Sequence, residues 1–334
     1  MLYATTRNAR ETYTAQRAMT EEKAPDGGYY VPFREPYFYS SDLRVFSQKD
    51  FLEVTAEILN LLLGTRLTPL EIEFTVGRHP IGLQKIGRRT VAGERWRNIS
   101  WTFSGLVEEL TREISLQAPE NRSAGPWAHV AAGTAVLFGI WSQLLRARIL
   151  NPGDLLDVAV GGSDLLSTAS AVYAKSWGLP LGRVVCGCQD SDGLWDLLHS
   201  GEVPAQKAPE DLEILLSACG GPEEVRRFLC CRENKKHYRP SDPVFRKLKE
   251  SVAAAVIGEK RIFDTIPAVF ATHHYLLSLD GALAYAGLLD YRATTGSGSW
   301  GLVLCDRSPS LDIEVIASAL HRSENDVRKL LMKP

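Results

Sequence analysis

The chain has 334 residues, 45% of them apolar and 23% charged, with a formal charge of −2. These values are those of a globular protein with a sizeable core, and so even a charge balance excludes a partner gathered by charge alone; neither nucleic acid nor a membrane surface is expected. Six cysteines, two adjacent (Cys230, Cys231) and two in CGC (Cys186, Cys188), match neither a disulfide framework nor the paired spacing of a zinc site, so no metal is expected.

Along the chain, APDGGYYVPF (Ala24 to Phe33) reads as a glycine turn feeding a short extended segment that ends at Pro32. Phe51 to Gly64 is strongly helical, GLQKIG around Lys85 is loop-like, and Trp101 to Leu116 reads as an amphipathic helix. Gln117 to Pro126 has the composition of a connection, followed by a helix from Trp127 to Arg148. Then comes an α/β rhythm. Asp154 to Val160 is a strand, and Asp164 to Trp177 a helix with Leu165, Thr168, Ala169, Val172 and Tyr173 on one face, stopped by Gly178-Leu179-Pro180. Arg183 to Cys188 reads as a strand, Leu194 to Gly201 as a helix and Leu212 to Leu216 as a third strand, before a helix opening at Pro222. Trp300 to Cys305 is the last strand and Ile313 to His321 a terminal helix; His273 and His274 read as surface or packed residues. Such alternation predicts an α/β fold, a parallel sheet covered by helices, with ligands at the carboxyl ends of the strands. Chemistry is therefore sought in the turns after Val160, Cys188, Leu216 and Cys305.

The N-terminus MLYATTRNARETY has no apolar core of a signal peptide, and no uncharged run is read as approaching the roughly eighteen residues of a membrane span; a cytoplasmic protein is expected.

MLYATTRN, APDGGYYVPF, AVYAKSWGLPLGRVV (Ala171 to Val185), QDSDGLWDLLHSGE (Gln189 to Glu202) and LVLCDRSP (Leu302 to Pro309) occur in an order that resembles threonine synthase. That family consists of fold-type II enzymes that use pyridoxal phosphate to turn O-phosphohomoserine into threonine and phosphate. The resemblance implies a large domain like that of tryptophan synthase β with a helical N-terminal extension, divided here as a segment 1–95 and an α/β core 96–334. It also implies a site whose parts can be checked residue by residue. The family's Schiff-base lysine segment corresponds to ERWRNISWTFSG (Glu94 to Gly105), which puts Ser104 at the lysine position and Gly105 at the following aspartate; a hydroxyl forms no imine. The phosphate loop corresponds to GGSDLLS, so that Gly161, Gly162, Ser163 and Asp164 are a vestigial cofactor turn, with Asp164 read as a helix N-cap and Leu165 and Leu166 crowding the approach. Asp280 stands where the family has a late histidine, and Cys305 stands at the pyridine-nitrogen position, where a thiol is still compatible with the cofactor. Between about residues 105 and 124 the chain is shorter than the roughly 30 residues of one β-α-β unit, so the family's small domain is expected to be missing.

The expectation is a non-catalytic threonine-synthase-like protein that holds no cofactor and works by interaction or scaffolding, as a homo-oligomer or with a protein partner at an uncovered sheet edge. One alternative is a pyridoxal-phosphate-dependent lyase of amino-acid biosynthesis that recruits Lys85 or a downstream lysine; another is an anion or metabolite sensor built on the remnant turn.

Overall fold

A computed structural model describes residues 1–71, 81–95, 125–162, 164–189 and 193–332. The chain opens with β1 (Tyr3–Thr5), α1 (Ala15–Thr20) and β2 (Tyr30–Pro32), the two strands pairing antiparallel with Tyr3 opposite Pro32. The glycine turn before β2 is as the sequence predicts: Gly27 sits at φ +76, and Asp26 accepts from the Gly28 N–H at 2.9 Å. This hairpin is fastened to the core. Thr6 Oγ1 and the Arg7 guanidinium both donate to the buried Glu213 carboxylate, and Tyr3 meets Trp127 edge-on with ring centroids 5.7 Å apart.

Two helices follow, α2 (Ser40–Phe46) and α3 (Phe51–Leu63). The second has the boundaries its sequence signals, with Asp50 and Glu53 exchanging capping hydrogen bonds at its start and Gly64 at φ +71 closing it. Next come β3 (Gly82–Gly87) and β4 (Thr90–Glu94), and then the long α4 (Pro126–Arg146). GLQKIG is thus a strand rather than a loop. Its weak alternation hid it, because only Ile86 and Gly87 are buried while Gln84 and Lys85 face solvent.

The remaining chain runs β5 (Leu156–Gly161), α5 (Leu165–Ser176), β6 (Leu181–Cys188), α6 (Gly193–Ser200), β7 (Val203–Pro204), α7 (Leu212–Glu233), β8 (His237–Tyr238), α8 (Asp242–Ser251) and β9 (Val252–Val256). It finishes with α9 (Glu259–His273), α10 (Leu279–Thr295), β10 (Trp300–Cys305), α11 (Ile313–Ala319) and α12 (Glu324–Leu331). The six-stranded sheet has the order β3-β4-β10-β5-β6-β9, antiparallel only between β3 and β4. It therefore draws two strands from the chain before residue 95. Helices α3, α4 and α5 pack on one face and α9, α10 and α11 on the other.

Leu212 to Leu216 is not a strand but the first turns of α7, so the turn after Leu216 is no strand end. A five-residue apolar run carries no period that separates strand from buried helix. The helix does restart at Pro222, as its sequence suggests: Gly221, at φ 68 and ψ −169, breaks it there. The strand that completes the sheet is β9, whose VAAAV follows α8 with no linker and little β-branched character.

The expectation that no uncharged run approaches membrane-span length is also corrected. Helix α4 is long and apolar enough by length and composition, but 83% of its apolar window is buried inside the fold. A helix apolar on every side is what a core position demands.

Helix α10 lies directly on the sheet because glycines meet there. A β-carbon at Gly187 would stand 2.3 Å from the Leu283 carbonyl oxygen, and one at Gly287 would stand 3.0 Å from the Gly187 α-carbon. On the other side, Gly178 at φ +104 lets the Phe38 backbone close on the end of α5.

Candidate functional site

In a parallel sheet the carboxyl ends of the strands form one rim. Here β4, β10, β5 and β6 deliver Glu94 and Arg95, Cys305 and Asp306, Gly161 and Gly162, and Cys188 to it. Ser104, Gly105 and Ser163 lie outside the described residues, as do the predicted helix Trp101 to Leu116 and the span 105–124.

Gly161 is closed over by the start of α10, where a β-carbon would stand 2.1 Å from the Asp280 carbonyl oxygen. Gly162, at φ +72, donates its N–H to Gly187 O at 2.8 Å, and a β-carbon there would meet no atom of the described residues within 4 Å. Asp164 is the N-cap of α5, its Oδ1 accepting from Ser167 N at 3.0 Å. The carboxylate thus occupies an N–H that a bound anion would otherwise take.

Beside that cap lies a group that reading the sequence did not single out. Arg95 is 1% exposed; its backbone N–H bonds Cys305 O at 2.9 Å, and its guanidinium makes a two-pronged pair with Asp306 and donates to Ser167 Oγ at 3.2 Å. A buried cation, its carboxylate and the first turn of α5 are joined. The signal was present, since Arg95 and Asp306 each directly follow a strand, but only the β4–β10 pairing shows that they are neighbours.

The rim is otherwise rich in carboxylates. Burial raises the Asp280 pKa from its ordinary 3.8; Arg307, 3.6 Å away, opposes the rise, and Asp312, Asp306 and Asp164 add to it. A raised carboxyl pKa favours the fold fully below the unfolded value, and that favour is lost as pH climbs through the folded value. The Asp280→Asn variant is therefore expected to melt higher than the parent at pH 7 and to lose the advantage below about pH 4, a comparison that thermal unfolding at two pH values checks.

Cys305 is buried under the Gly281 backbone and the Tyr275 ring region, and burial pushes its thiol up to about 12, with Tyr275 opposing and Asp306 and Glu94 reinforcing. The Tyr275 hydroxyl, raised well above its ordinary value by its own burial, has no well-formed hydrogen bond among the described residues. The thiol is thus protonated at neutral pH. Its contribution to stability is whole below pH 9 and declines between about 9 and 12, where the unfolded thiol ionises first. A thiol reagent at pH 8 is expected to modify the exposed Cys230 promptly and Cys305 only on unfolding, which peptide mapping of a timed reaction checks.

Lys85 stands mid-strand on β3 opposite Val91, exposed on the sheet's edge and away from the Glu94 rim. Lys175 lies at the other end of the sheet, its amine donating to Gly182 O at 2.5 Å and Glu250 O at 2.9 Å. Neither amine stands beside Gly161, Asp164 or Cys305. Among the described residues no cluster of three or more His, Cys, Asp or Glu could hold a metal ion.

Residues 2–78 match the family model described as the threonine synthase N terminus. A search of curated proteins by sequence finds no significant relative. Among solved structures, threonine synthase from yeast superposes with a TM-score of 0.80 at 13% identity, over 98% of this chain and 93% of that one. The pyridoxal-phosphate-bound threonine synthase from Brucella melitensis gives 0.77 at 15% identity, over 100% and 95%. The enzyme from Escherichia coli gives 0.67 at 16%, also over 100% and 95%. At these identities the likeness is one of fold.

Proposed function

The chain is threonine synthase-like, in its N-terminal segment and in its fold, and from that premise we propose that it is a non-catalytic relative whose role is interaction or scaffolding. The carrying observation is the Arg95–Asp306 pair. It stands at the head of α5, next to the turn that would have to receive a cofactor phosphate, and it is neutralised internally rather than left for an incoming anion.

The fit to pyridoxal phosphate is poor on three counts. The phosphate would meet the Asp164 cap, with Asp280, Asp306 and Asp312 carboxylates nearby. Cys305, the candidate partner for the ring nitrogen, is covered by Gly281 and Tyr275. The resemblance puts Ser104 at the lysine position, and Lys85, the alternative amine, sits on the sheet's outer edge. The working lyase is accordingly the weaker reading. Gly162 alone speaks for the anion sensor, by its positive φ and the room around it among the described residues.

The proposed partner is a second copy of this chain or another protein, docked at the sheet edge that loss of the family's small domain would uncover. Light scattering after size exclusion across a hundredfold concentration range, with affinity capture from the source cell, tests the role. A concentration-dependent dimer or a reproducible stoichiometric partner is expected. A monomer throughout that captures nothing contradicts it.

A further inference from the structure

The amino ends of the strands, opposite the rim just described, hold a cavity of about 560 Å³ between the β3–β4 turn, helix α10 and the loop leading into β10. Three arginines line it: Arg88 and Arg89 from the turn and Arg292 from α10, with Tyr285 and Leu289 as an apolar wall and Ser297 to Ser299 on the far side. None of the three guanidinium groups has a carboxylate within ion-pair distance among the described residues. Arg89 donates to Gly298 O at 2.7 Å. Among the described residues Arg292 donates to neutral acceptors, Thr90 Oγ1 at 2.7 Å, Arg89 O at 3.0 Å and Ser299 O at 2.8 Å, while its buried Nε–H has no partner among them. Among the described residues the carboxylate that acts on Arg292 is Asp157, which accepts from Ser297 Oγ at 3.0 Å.

Among the described residues, three cations against one carboxylate leave a positive hollow in a chain whose overall charge is −2. Arg88 and Arg89 are exposed and Arg292 is half-buried, so an anion entering the hollow would meet guanidinium groups that no carboxylate of the described residues pairs. The turn is held for this geometry. Arg89 has φ +52, a conformation a side-chain-bearing residue seldom adopts, and Gly87 admits the Tyr285 hydroxyl, which would stand 2.6 Å from any β-carbon there. Gly301 likewise makes room for Arg292, whose Nη2 would be 2.8 Å from a β-carbon. The volume is that of a small-molecule site, and guanidinium groups supplied from two elements suit phosphoryl oxygens.

We propose that this amino-end pocket binds a small phosphorylated metabolite, with Arg88, Arg89 and Arg292 gripping its phosphoryl group and Tyr285 and Leu289 receiving its organic part. The pocket is independent of the cofactor turn. Charge focusing in a concave site draws in a doubly charged anion more strongly than chloride.

Inorganic pyrophosphate is the probe, titrated calorimetrically into the full chain at ionic strength matched with sodium chloride. One saturable site is expected, with affinity at least tenfold weaker in the Arg88→Ala/Arg89→Gly double variant. Both residues are exposed, and the glycine suits the positive φ, so the variant's melting temperature without ligand should equal the parent's. Arg292→Lys, which keeps the charge but not the fork, should weaken binding too. No saturable heat beyond chloride, or affinity in the double variant within twofold of the parent, overturns the proposal. Tighter binding of a single-stranded oligonucleotide than of pyrophosphate also overturns it, because the occupant would then be a nucleic acid.

Discussion

Replacing Asp306 with alanine is expected to cost about 3 kcal/mol of stability, measured by urea unfolding, because it strips a buried guanidinium of the carboxylate that takes two of its N–H groups. Arg95 is 1% exposed, whereas the Asp306 side chain is 30% exposed. The two single substitutions should therefore differ. Arg95→Met leaves a carboxylate that water can still reach and a stem that still packs, and is expected to cost about 1–2 kcal/mol. Asp306→Ala leaves a cation that water reaches poorly. The double variant should fall below the sum of the singles, a coupling that marks the pair as a unit. Equal and additive losses would show the pair to be ordinary surface charge, and the argument that it replaces a ligand site would lose its footing.

A methyl group at Gly187 is expected to destabilise the protein by about 3 kcal/mol, at the upper end of overpacking costs. The added carbon would stand 2.3 Å from the Leu283 carbonyl oxygen and 2.9 Å from its carbon, so helix α10 as a whole would have to lift from β6. Backbone cannot swing aside as a side chain can. Gly298→Ala is the matched control, since Arg89 Nη1 at 3.9 Å is all its β-carbon would meet, and a change within about 0.5 kcal/mol is expected. Thermal and urea unfolding of both variants checks the contrast; a Gly187→Ala protein as stable as the control would mean that α10 does not seat on the sheet as described.

Much of the fold was written plainly in the sequence, and the exceptions share a cause. Where a helix carries its own start and stop, as with Asp50, Glu53 and Gly64, or where glycine and proline follow an apolar face, as at Gly178 and Pro180, local rules were enough. Leu212 to Leu216 and Val252 to Val256 failed for want of a period: the first is a helix buried on every side and the second a strand of small residues. Lys85 sits on an edge strand whose exposure made it resemble a loop.

At the site, Asp164 as an N-cap followed from residue type and position alone. Arg95 with Asp306 did not, because the two are 211 residues apart and meet only when β4 and β10 pair in register. The same holds for the arginine pocket, whose members come from a turn, a helix and a loop at one end of the sheet. Sequence periodicity orders neighbours along a chain; which strand ends lie side by side is decided by the sheet.

The most direct test of the central claim is to incubate the purified protein with pyridoxal phosphate, reduce with borohydride and map the product by mass spectrometry. The account predicts a colourless protein with no lysine labelled in stoichiometric amount, Lys85 included. One lysine labelled stoichiometrically, with turnover of O-phosphohomoserine that depends on the cofactor, would contradict it.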